Sequence, residues 1–334
     1  MKVTRDQILA FRRRVNALDE RSASLREAAW AGVQDSMPRA ALLSIHARVA
    51  GVDSLVLDNP ALAQVWGPRY HVYVVPAEDH AVFTLGRLPD RGRIRERADD
   101  LTARLETLLD GGRMRYDDAG AALGTHGNSL RYAALTGRLA IRWEGARRPL
   151  VWMVPPPEID ASAASRELAR RFLHIFGPTE PAAFARWAGI GAQKAVTTFA
   201  ELESELVPVR TPLGDAWLLA SDEEAMGGPA ASPAAAPRLL PSGDAYTLGV
   251  SDDERALLVP DAVRRAELWT PRVWPGALLI GDEIAGTWRR AKRAMAIQPW
   301  RKFKPAEREA IVAEAESLPL PDAGEGMAID WTEL

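Results

Sequence analysis

The stretch PAAFARWAGIGAQKAVTTFAELESELVPVRTPLGDAWLLA, residues 181–220, decides the fold. It follows a segment with helical periodicity, 165–175, and contains two further short helical patterns. Two strand patterns come next, LVPVR and AWLLA, joined by the turn TPLG at 211–214. Three helices followed by a hairpin are the element order of a winged helix-turn-helix unit, so the sequence predicts one here.

The same order occurs once more, earlier in the chain. A helical pattern at 95–109 precedes the stretches DDAGAALG, NSLRYAALTG, LAIRW and LVWMV, which together run from 117 to 154. Leu139 of the first copy matches Leu206 of the second, and Trp152 matches Trp217, so the offset is nearly constant. Recurrence of a whole element order at near-constant spacing predicts tandem winged-helix units.

We predict an α+β fold in which tandem winged helix-turn-helix units are followed by a small C-terminal β-barrel-like domain. The predicted parts are 1–90, a divergent winged-helix unit; 91–157 and 158–222, two winged-helix units; 223–237, a linker or loop rich in Ala, Pro and Gly; and 238–334, a β-rich domain closed by one helix. Within the last part, the short runs YTLGV, ALLVP, ALLIG, EIAGTW and AMAIQPW predict strands.

Composition excludes several functional classes. The chain has 334 residues, 47% hydrophobic and 26% charged, and no cysteine, which rules out disulfides, cysteine-ligated metals and thiol nucleophiles. Its five histidines lack metal-ligand spacing, and no phosphate loop or dinucleotide fingerprint occurs, so we expect no metal and no organic cofactor. Arginines 12–14 interrupt the apolar positions of the N-terminal stretch, which therefore predicts no signal peptide or membrane span and a soluble, cytoplasmic protein.

Charge is unevenly distributed despite a net charge of only −3. Residues 285–304 contain seven basic side chains and no acidic one, whereas the next thirty residues contain eight acids. We predict that Trp288, Arg289, Arg290, Lys292 and Arg293 form a basic strip that binds DNA phosphates. The alternative is a solvated cationic face paired with the following acids.

The winged-helix interpretation points to further DNA contacts. Asn128 and Arg131 lie at the start of the predicted recognition helix of the first copy, and Arg147 and Arg148 lie at the tip of its wing. Winged helices also serve as protein-interaction modules, so the fold alone leaves a protein partner open.

Several longer stretches resemble one family, the bacterial winged-helix DNA glycosylases of the AlkZ and YcaQ type, which excise N-alkylated purines and unhook interstrand crosslinks. The resemblance covers nearly the whole chain. It is carried by GVQDSMPRAAL (32–42), RYHVYVVPAEDH (69–80), LARRFLHIFGPTEPAAFARWAGI (168–190), LLPSGDAYTLG (239–249) and GTWRR (286–290).

The resemblance implies a catalytic Gln-x-Gln or Gln-x-Asp motif whose two polar side chains hold a water against the sugar. This chain has Gln34, Asp35 and Ser36, so the first member matches and the second is a serine. If the segment is extended, Gln34 and Ser36 share a face and Asp35 points away; if it is helical or kinked, Asp35 could substitute. A histidine-containing strand near the lesion corresponds to His71, preceded here by Arg69 and Tyr70. Without the resemblance, the residues favour Ser36 as a helix N-cap and Gln34 as a flanking polar residue.

These observations predict a repair or self-resistance protein that acts as a monomer on alkylated double-stranded DNA. A cationic N7-alkylated purine leaves readily, so the protein need only stabilise an oxocarbenium-like sugar and position a water. The alternative is a non-catalytic winged-helix DNA binder that has lost the water-holding pair. A scaffold that binds other proteins is a third possibility, which the basic strip disfavours.

Overall fold

The computed structural model describes residues 1–22, 24–35, 40–143, 148–229, 236–249, 251–292, 294–320 and 327–332. The predicted site residues Ser36, Arg147 and Arg293 lie outside these ranges. The described part of the chain is a mixture of α-helices and three β-sheets, in agreement with the predicted α+β class.

The helices are α1 Arg5–Val15, α2 Leu25–Ala29, α3 Ala40–His46, α4 His80–Thr84, α5 Arg93–Leu109, α6 Tyr116–Ala122, α7 Arg131–Ala134, α8 Ala161–Phe176, α9 Pro181–Ala188, α10 Ala192–Glu201, α11 Glu223–Met226, α12 Asp252–Leu258, α13 Ala262–Leu268 and α14 Pro305–Glu316. The strands are β1 Val33–Gln34, β2 Leu62–Trp66, β3 Val72–Pro76, β4 Arg113–Arg115, β5 Leu139–Arg142, β6 Leu150–Met153, β7 Leu206–Thr211, β8 Gly214–Leu219, β9 Arg238–Leu240, β10 Gly276–Ile280, β11 Glu283–Ala291, β12 Ala294–Pro299 and β13 Ala328–Trp331.

The two repeated segments have the same sequence of elements. α8, α9 and α10 precede the antiparallel hairpin β7–β8, and α5, α6 and α7 precede the antiparallel pair β5–β6, with β4 inserted between the first two helices. Local sequence explains the boundaries of the second copy: the Asp160 carboxylate accepts the Ala163 N–H at the start of α8. Pro181 is the first residue of α9, and Gly189, in the left-handed region, ends that helix.

The first repeat shares a sheet with the N-terminal part of the chain. Six strands pair in the order β1-β3-β2-β5-β6-β4, and the junction is the antiparallel contact of Gln64 in β2 with Ile141 in β5. The Gln64 side chain reinforces it, because its Oε1 accepts the Trp143 N–H at 2.6 Å. The hairpin β7–β8 instead forms its own two-stranded sheet.

The C-terminal part differs from the predicted barrel. Its strands form one sheet in the order β13-β12-β11-β10-β9, with β9 and β13 as edges, so the strands described there form an open sheet. The run ALLVP was predicted as a strand and is instead the end of α12, while YTLGV contains a 3₁₀ turn at 245–247. α12 forms because Ser251 caps its N-terminus and acids fill its first turn. The first four residues of the predicted linker form α11.

The largest apolar cluster lies between α8, α9 and α10 and the strands β2 and β3. Its central side chains are Phe172, Phe184 and Trp187, which are fully buried and stack with ring centroids 5.2–6.3 Å apart. Tyr73 of β3 belongs to the same cluster and is 2% exposed. Strand β3 is thereby fixed against the helices of the second repeat.

Candidate active site and nucleic-acid interface

Gln34 lies on β1, the short edge strand of the six-stranded sheet. β1 pairs with β3 so that Val33 faces Val74 and Gln34 faces Tyr73, and the ladder continues where the Asp35 N–H donates to the Val72 carbonyl at 2.8 Å. Val33 is buried and Gln34 is half-buried. The backbone at Gln34 and Asp35 is therefore extended strand, which directs their side chains to opposite faces.

Two donors approach the side-chain oxygen of Gln34. The Arg69 Nη2 atom lies 3.2 Å from Gln34 Oε1, and the Tyr73 hydroxyl lies 3.3 Å from the same atom. Burial raises the pKa of Tyr73, so its hydroxyl keeps its proton at neutral pH.

The amide nitrogen of Gln34 faces the other way, toward the C-terminal part of the chain. Gly243 has a φ of +77°, and a Cβ on it would lie only 2.9 Å from Gln34 Nε2. The site therefore places glycine where a side chain would displace the amide.

Arg69 reaches Gln34 from a turn with unusual backbone geometry. Arg69 and the following Tyr70, which connect β2 to β3, have φ of 54° and 61°, values that non-glycine residues rarely adopt. The turn packs against Gly189 at the end of α9, where a Cβ would lie 3.2 Å from Arg69 Cα. Strain of this kind persists only when its surroundings hold it, and it is concentrated at functional sites.

Asp35 has a structural partner. Its Oδ1 accepts the Ala41 N–H at 3.1 Å, which satisfies one of the free amides at the start of α3. Burial raises the pKa of Asp35 above its usual value, and the Ala41 hydrogen bond opposes that shift. The carboxylate points to α3, on the opposite face of the strand from the Gln34 amide.

A buried ion pair fixes the loop that contains Gly243. Arg48 donates to both carboxylate oxygens of Asp244, at 2.7 and 2.8 Å, and the Ser44 hydroxyl donates to Asp244 Oδ2 at 2.7 Å. Burial alone would raise the pKa of Asp244, but the charge of Arg48 and these hydrogen bonds hold it below its usual value. Ser44 on α3 and Arg48 just after it are thereby joined to the loop at Gly243 and Asp244, which faces Gln34.

His71 lies at the start of β3 and is exposed. Its backbone closes the turn, since the His71 carbonyl accepts the Gly67 N–H and the His71 N–H donates to the Pro68 carbonyl. Partial desolvation of the ring, and then the charges of Arg69 and Arg87, lower the pKa of His71. The imidazole is therefore neutral at neutral pH.

Arg131, predicted from the sequence, lies close to the same turn. Its guanidinium carbon is 5.0 Å from the centre of the Tyr70 ring and 5.4 Å from that of Tyr132. Arg87 also lies over Tyr70, at 4.7 Å, and Arg97 lies over Tyr132, at 4.4 Å. We call Tyr70, Arg87, Arg97, Arg131 and Tyr132 the arginine–tyrosine cluster. Among the described residues its arginines form no ion pair, although Arg87 is buried and donates to the Ala188 and Trp66 carbonyls.

Sequence reasoning missed four of these five residues, since only Arg131 stood at a predicted position in the recognition helix. The other predicted residue of that helix, Asn128, is exposed, and its backbone N–H donates to His126 Nδ1 at 3.1 Å. At the predicted wing tip, Arg148 is exposed and forms an ion pair with Asp117.

The basic strip is divided by burial. Trp288 is 6% exposed, and its indole N–H donates to the Leu240 carbonyl at 3.0 Å, so it is a core residue rather than a DNA contact. Arg289 donates to the Val273 carbonyl and Arg290 to the Lys292 carbonyl. In the described ranges, Arg289, Arg290 and Lys292 form no ion pair with the acids of α14. Two of those acids bind other arginines: Glu307 pairs with Arg301, and Glu314 pairs with Arg21.

A cleft of about 500 Å³ lies away from Gln34, where α4 and α8 meet residues 154–159. Its buried cation, Arg171, is already bound by Asp79, Glu167 and the Trp30 carbonyl. The described ranges contain no group of three or more His, Asp or Glu side chains able to hold a metal ion. No helix in them is long and apolar enough to cross a membrane.

Comparisons with known proteins point to one family. A family model described as DNA glycosylase AlkZ-like matches residues 27–319. Among solved structures, the DNA glycosylase AlkZ of Streptomyces sahachiroi superposes with a TM-score of 0.82 at 18% identity, over 99% of this chain and 100% of that one. At this identity, the structural likeness establishes the fold. A search of curated proteins finds no match to this chain.

Proposed function

Because the chain belongs to the AlkZ-like DNA glycosylase family, we propose that it is a repair or self-resistance glycosylase that removes N-alkylated purines, including crosslinked ones, from double-stranded DNA. The observation that carries this proposal is the position of Gln34. The matching residue of the family motif is held on an edge strand by Arg69 and Tyr73, opposite a glycine of the C-terminal part.

The chemistry asks for few protein groups. In a cationic N7- or N3-alkylated purine, the bond between C1′ of the sugar and N9 of the base breaks, and its electron pair neutralises the departing base. Water then forms the new bond to C1′ and loses a proton. A protein that orients this water and stabilises the sugar cation accelerates both events. No metal or organic cofactor enters this scheme.

The repeats supply the DNA-binding surface in this proposal. Residues 91–157 and 158–222 act as winged-helix units, and 1–90 acts as a divergent one. Arg97 and Arg131 of the arginine–tyrosine cluster bind phosphates beside the lesion, because they reach the surface over Tyr132 and form no ion pair within the described ranges. Arg87 is buried and supports Tyr70 from within. Arg289, Arg290 and Lys292 extend the cationic surface on the C-terminal sheet. The protein works as a cytoplasmic monomer.

A second function, non-catalytic DNA binding, is favoured by one residue. The family motif has Gln or Asp where this chain has Ser36, whose hydroxyl sits closer to the backbone than a glutamine amide and has less reach toward a water. A protein with this substitution could still recognise a lesion through its cationic surface.

Release of N7-methylguanine from a duplex decides between the two functions. We expect the wild-type protein to release the base faster than spontaneous depurination. Gln34→Ala should lower that rate by about tenfold or more without changing the dissociation constant for DNA, because an oriented water contributes to the transition state alone.

Gln298→Ala is the matched control, since Gln298 is an exposed glutamine on β12. It should leave the rate unchanged. Tight binding of the alkylated duplex without any release above the spontaneous rate would establish the non-catalytic function instead.

A further inference from the structure

The contacts of Gln34 fix which end of its amide faces Arg69 and which end faces Gly243. The Arg69 guanidinium has five N–H donors and no acceptor, so the Gln34 atom within 3.2 Å of it must be the oxygen. The usual ambiguity between the two ends of a side-chain amide is thereby removed at this residue.

The tyrosine contact leads to the same orientation. Arg69 identifies the Gln34 atom on this side of the amide as Oε1, and a carbonyl oxygen can only accept a hydrogen bond. The Tyr73 hydroxyl, 3.3 Å from the same atom, therefore donates its proton to Gln34 Oε1. The amide oxygen of Gln34 thus accepts from two donors that cannot reverse.

We infer that Arg69 and Tyr73 clamp the Gln34 side chain with its NH₂ group toward the substrate, so that Gln34 acts as a hydrogen-bond donor and Arg69 is a positioning residue. The inference rests on the proposed function for its substrate. It assigns a polarity: Gln34 holds the attacking water by donating to its oxygen, and the proton lost by the water goes to a different acceptor.

The backbone supports the same assignment. Arg69 and Tyr70 both occupy the left-handed region. The turn they form lies close to Gly189, whose missing side chain leaves room for Arg69 Cα. The strained turn brings the guanidinium to the Gln34 oxygen. On the opposite side, Gly243 leaves room for the NH₂ group that the clamp turns toward it.

Gln34→Glu tests the polarity directly. Glutamate has the same shape and keeps an oxygen for Arg69 and Tyr73, but its outward atom cannot donate at neutral pH. We expect kcat to fall by about tenfold or more, the effect of removing one oriented donor, with the dissociation constant for the duplex and the melting temperature retained. A kcat of at least half the wild-type value would overturn the inference.

Arg69→Met tests the positioning role. It should lower kcat with little change in affinity for DNA, and Arg69→Lys, which restores a donor, should recover part of the rate. The double variant with Gln34→Glu should be no slower than Gln34→Glu alone, because both changes act through one amide. Equal reductions in kcat and in DNA affinity would make Arg69 a direct DNA contact and overturn its positioning role. The matched control is Arg166→Met, which removes an arginine of α8 that pairs with Glu201 of α10.

A measurement without DNA separates this inference from the proposed function. The chain has five glutamines, so the side-chain NH₂ signals of protein labelled with ¹⁵N-glutamine can be assigned by their disappearance in Gln34→Glu. The Gln34 signal should move in Arg69→Met and in Tyr73→Phe but stay unchanged in Arg166→Met. An unchanged signal in both clamp variants shows that no clamp exists, even if the wild-type protein releases base. A moved signal in a protein that releases no base retains the clamp and rejects the glycosylase.

Discussion

At the scale of single residues, Gln34 is held by Arg69 and Tyr73 on one side and faces Gly243 on the other. The family resemblance located Gln34, Arg69 and His71 by number but not these contacts. The role of Tyr73 depends on the register of β1 against β3, and register follows from tertiary packing rather than from local pattern. The approach of Gly189 to Arg69 joins positions 120 residues apart, so no spacing rule indicates it.

For Trp288, by contrast, the alternation of side chains along a strand already indicates a buried position. Side chains alternate along a strand, so Trp288 and Arg289 cannot share a face of β11. Grouping them as one DNA-binding strip therefore placed a core side chain on the surface.

Position 36 gives the prediction at this scale. We expect Ser36→Gln to raise the rate of N7-methylguanine release, because it supplies the second long amide of the family motif and with it an acceptor for the water that Gln34 holds. The measurement is single-turnover release with protein in excess over duplex. Ser36→Ala serves as control and should show no gain. Unchanged release in Ser36→Gln, with DNA binding retained, would show that the motif position is not what limits the rate.

At the scale of elements, the long periodic helices α5 and α8 were predictable, and so were the hairpin β7–β8 and the strands β10 to β12. The helices α12 and α13 were not, because ALLVP is short and apolar, and periodicity cannot distinguish a short buried strand from the end of a helix. Their capping residues, Ser251 and Asp261, were the better signal.

α3 carries a pH-dependent contribution to stability. Its last residue, His46, is 6% exposed, and its Nε2 lies 3.2 Å from Arg21 Nη2 and 3.1 Å from Ser317 Oγ. Burial, followed by the charges of Arg21 and Arg238, lowers the pKa of His46 to about 4. The native state therefore keeps this ring neutral at pH values where the unfolded chain protonates it.

The sign follows from proton binding. Between the unfolded pKa of about 6.5 and the folded value, the unfolded state binds more protons, so the free energy of unfolding falls as the pH falls. We expect the decrease between pH 7 and pH 5 to be larger by roughly 2 kcal/mol in the wild-type protein than in His46→Gln, because the other titrating groups contribute to both proteins. Urea unfolding of both proteins at the two pH values measures it. Equal decreases in both would show that His46 does not titrate in this range.

At the scale of the whole molecule, the distribution of charge indicates a DNA-binding surface, whereas the net charge does not. The total of −3 coexists with the arginines around Tyr70 and Tyr132, which have no acidic partner in the part of the chain that the structure describes, and with the exposed Arg289 and Lys292. The sequence indicated the second group because its cations are consecutive. It could not indicate the first, because Arg87, Arg97 and Arg131 meet only after folding.

Salt dependence tests the C-terminal group. Affinity for duplex DNA should fall with salt at a logarithmic slope of about −0.9 per phosphate neutralised. In the triple variant Arg289→Gln, Arg290→Gln and Lys292→Gln, the slope should become less steep by about 0.9 for each phosphate that is no longer neutralised. The control triple Arg95→Gln, Arg104→Gln and Arg166→Gln removes equal charge from arginines already paired with carboxylates. Identical slopes for the two triples would leave the C-terminal cations without a role in DNA binding.

The single pairing between β2 and β5 has a consequence for how the molecule can evolve. Duplicated segments usually stay interchangeable, because each keeps its own closed set of backbone hydrogen bonds. Here the first repeat has merged its strands with those of the N-terminal part, whereas the hairpin of the second repeat pairs outside itself only through isolated bridges at Lys2 and Thr179 in the described ranges. The second repeat is joined to the rest of the chain chiefly by side-chain packing, through the apolar cluster it shares with β2 and β3. Deletion of the first repeat would leave the edge of β2 that now pairs with β5 unpaired, which is an aggregation hazard.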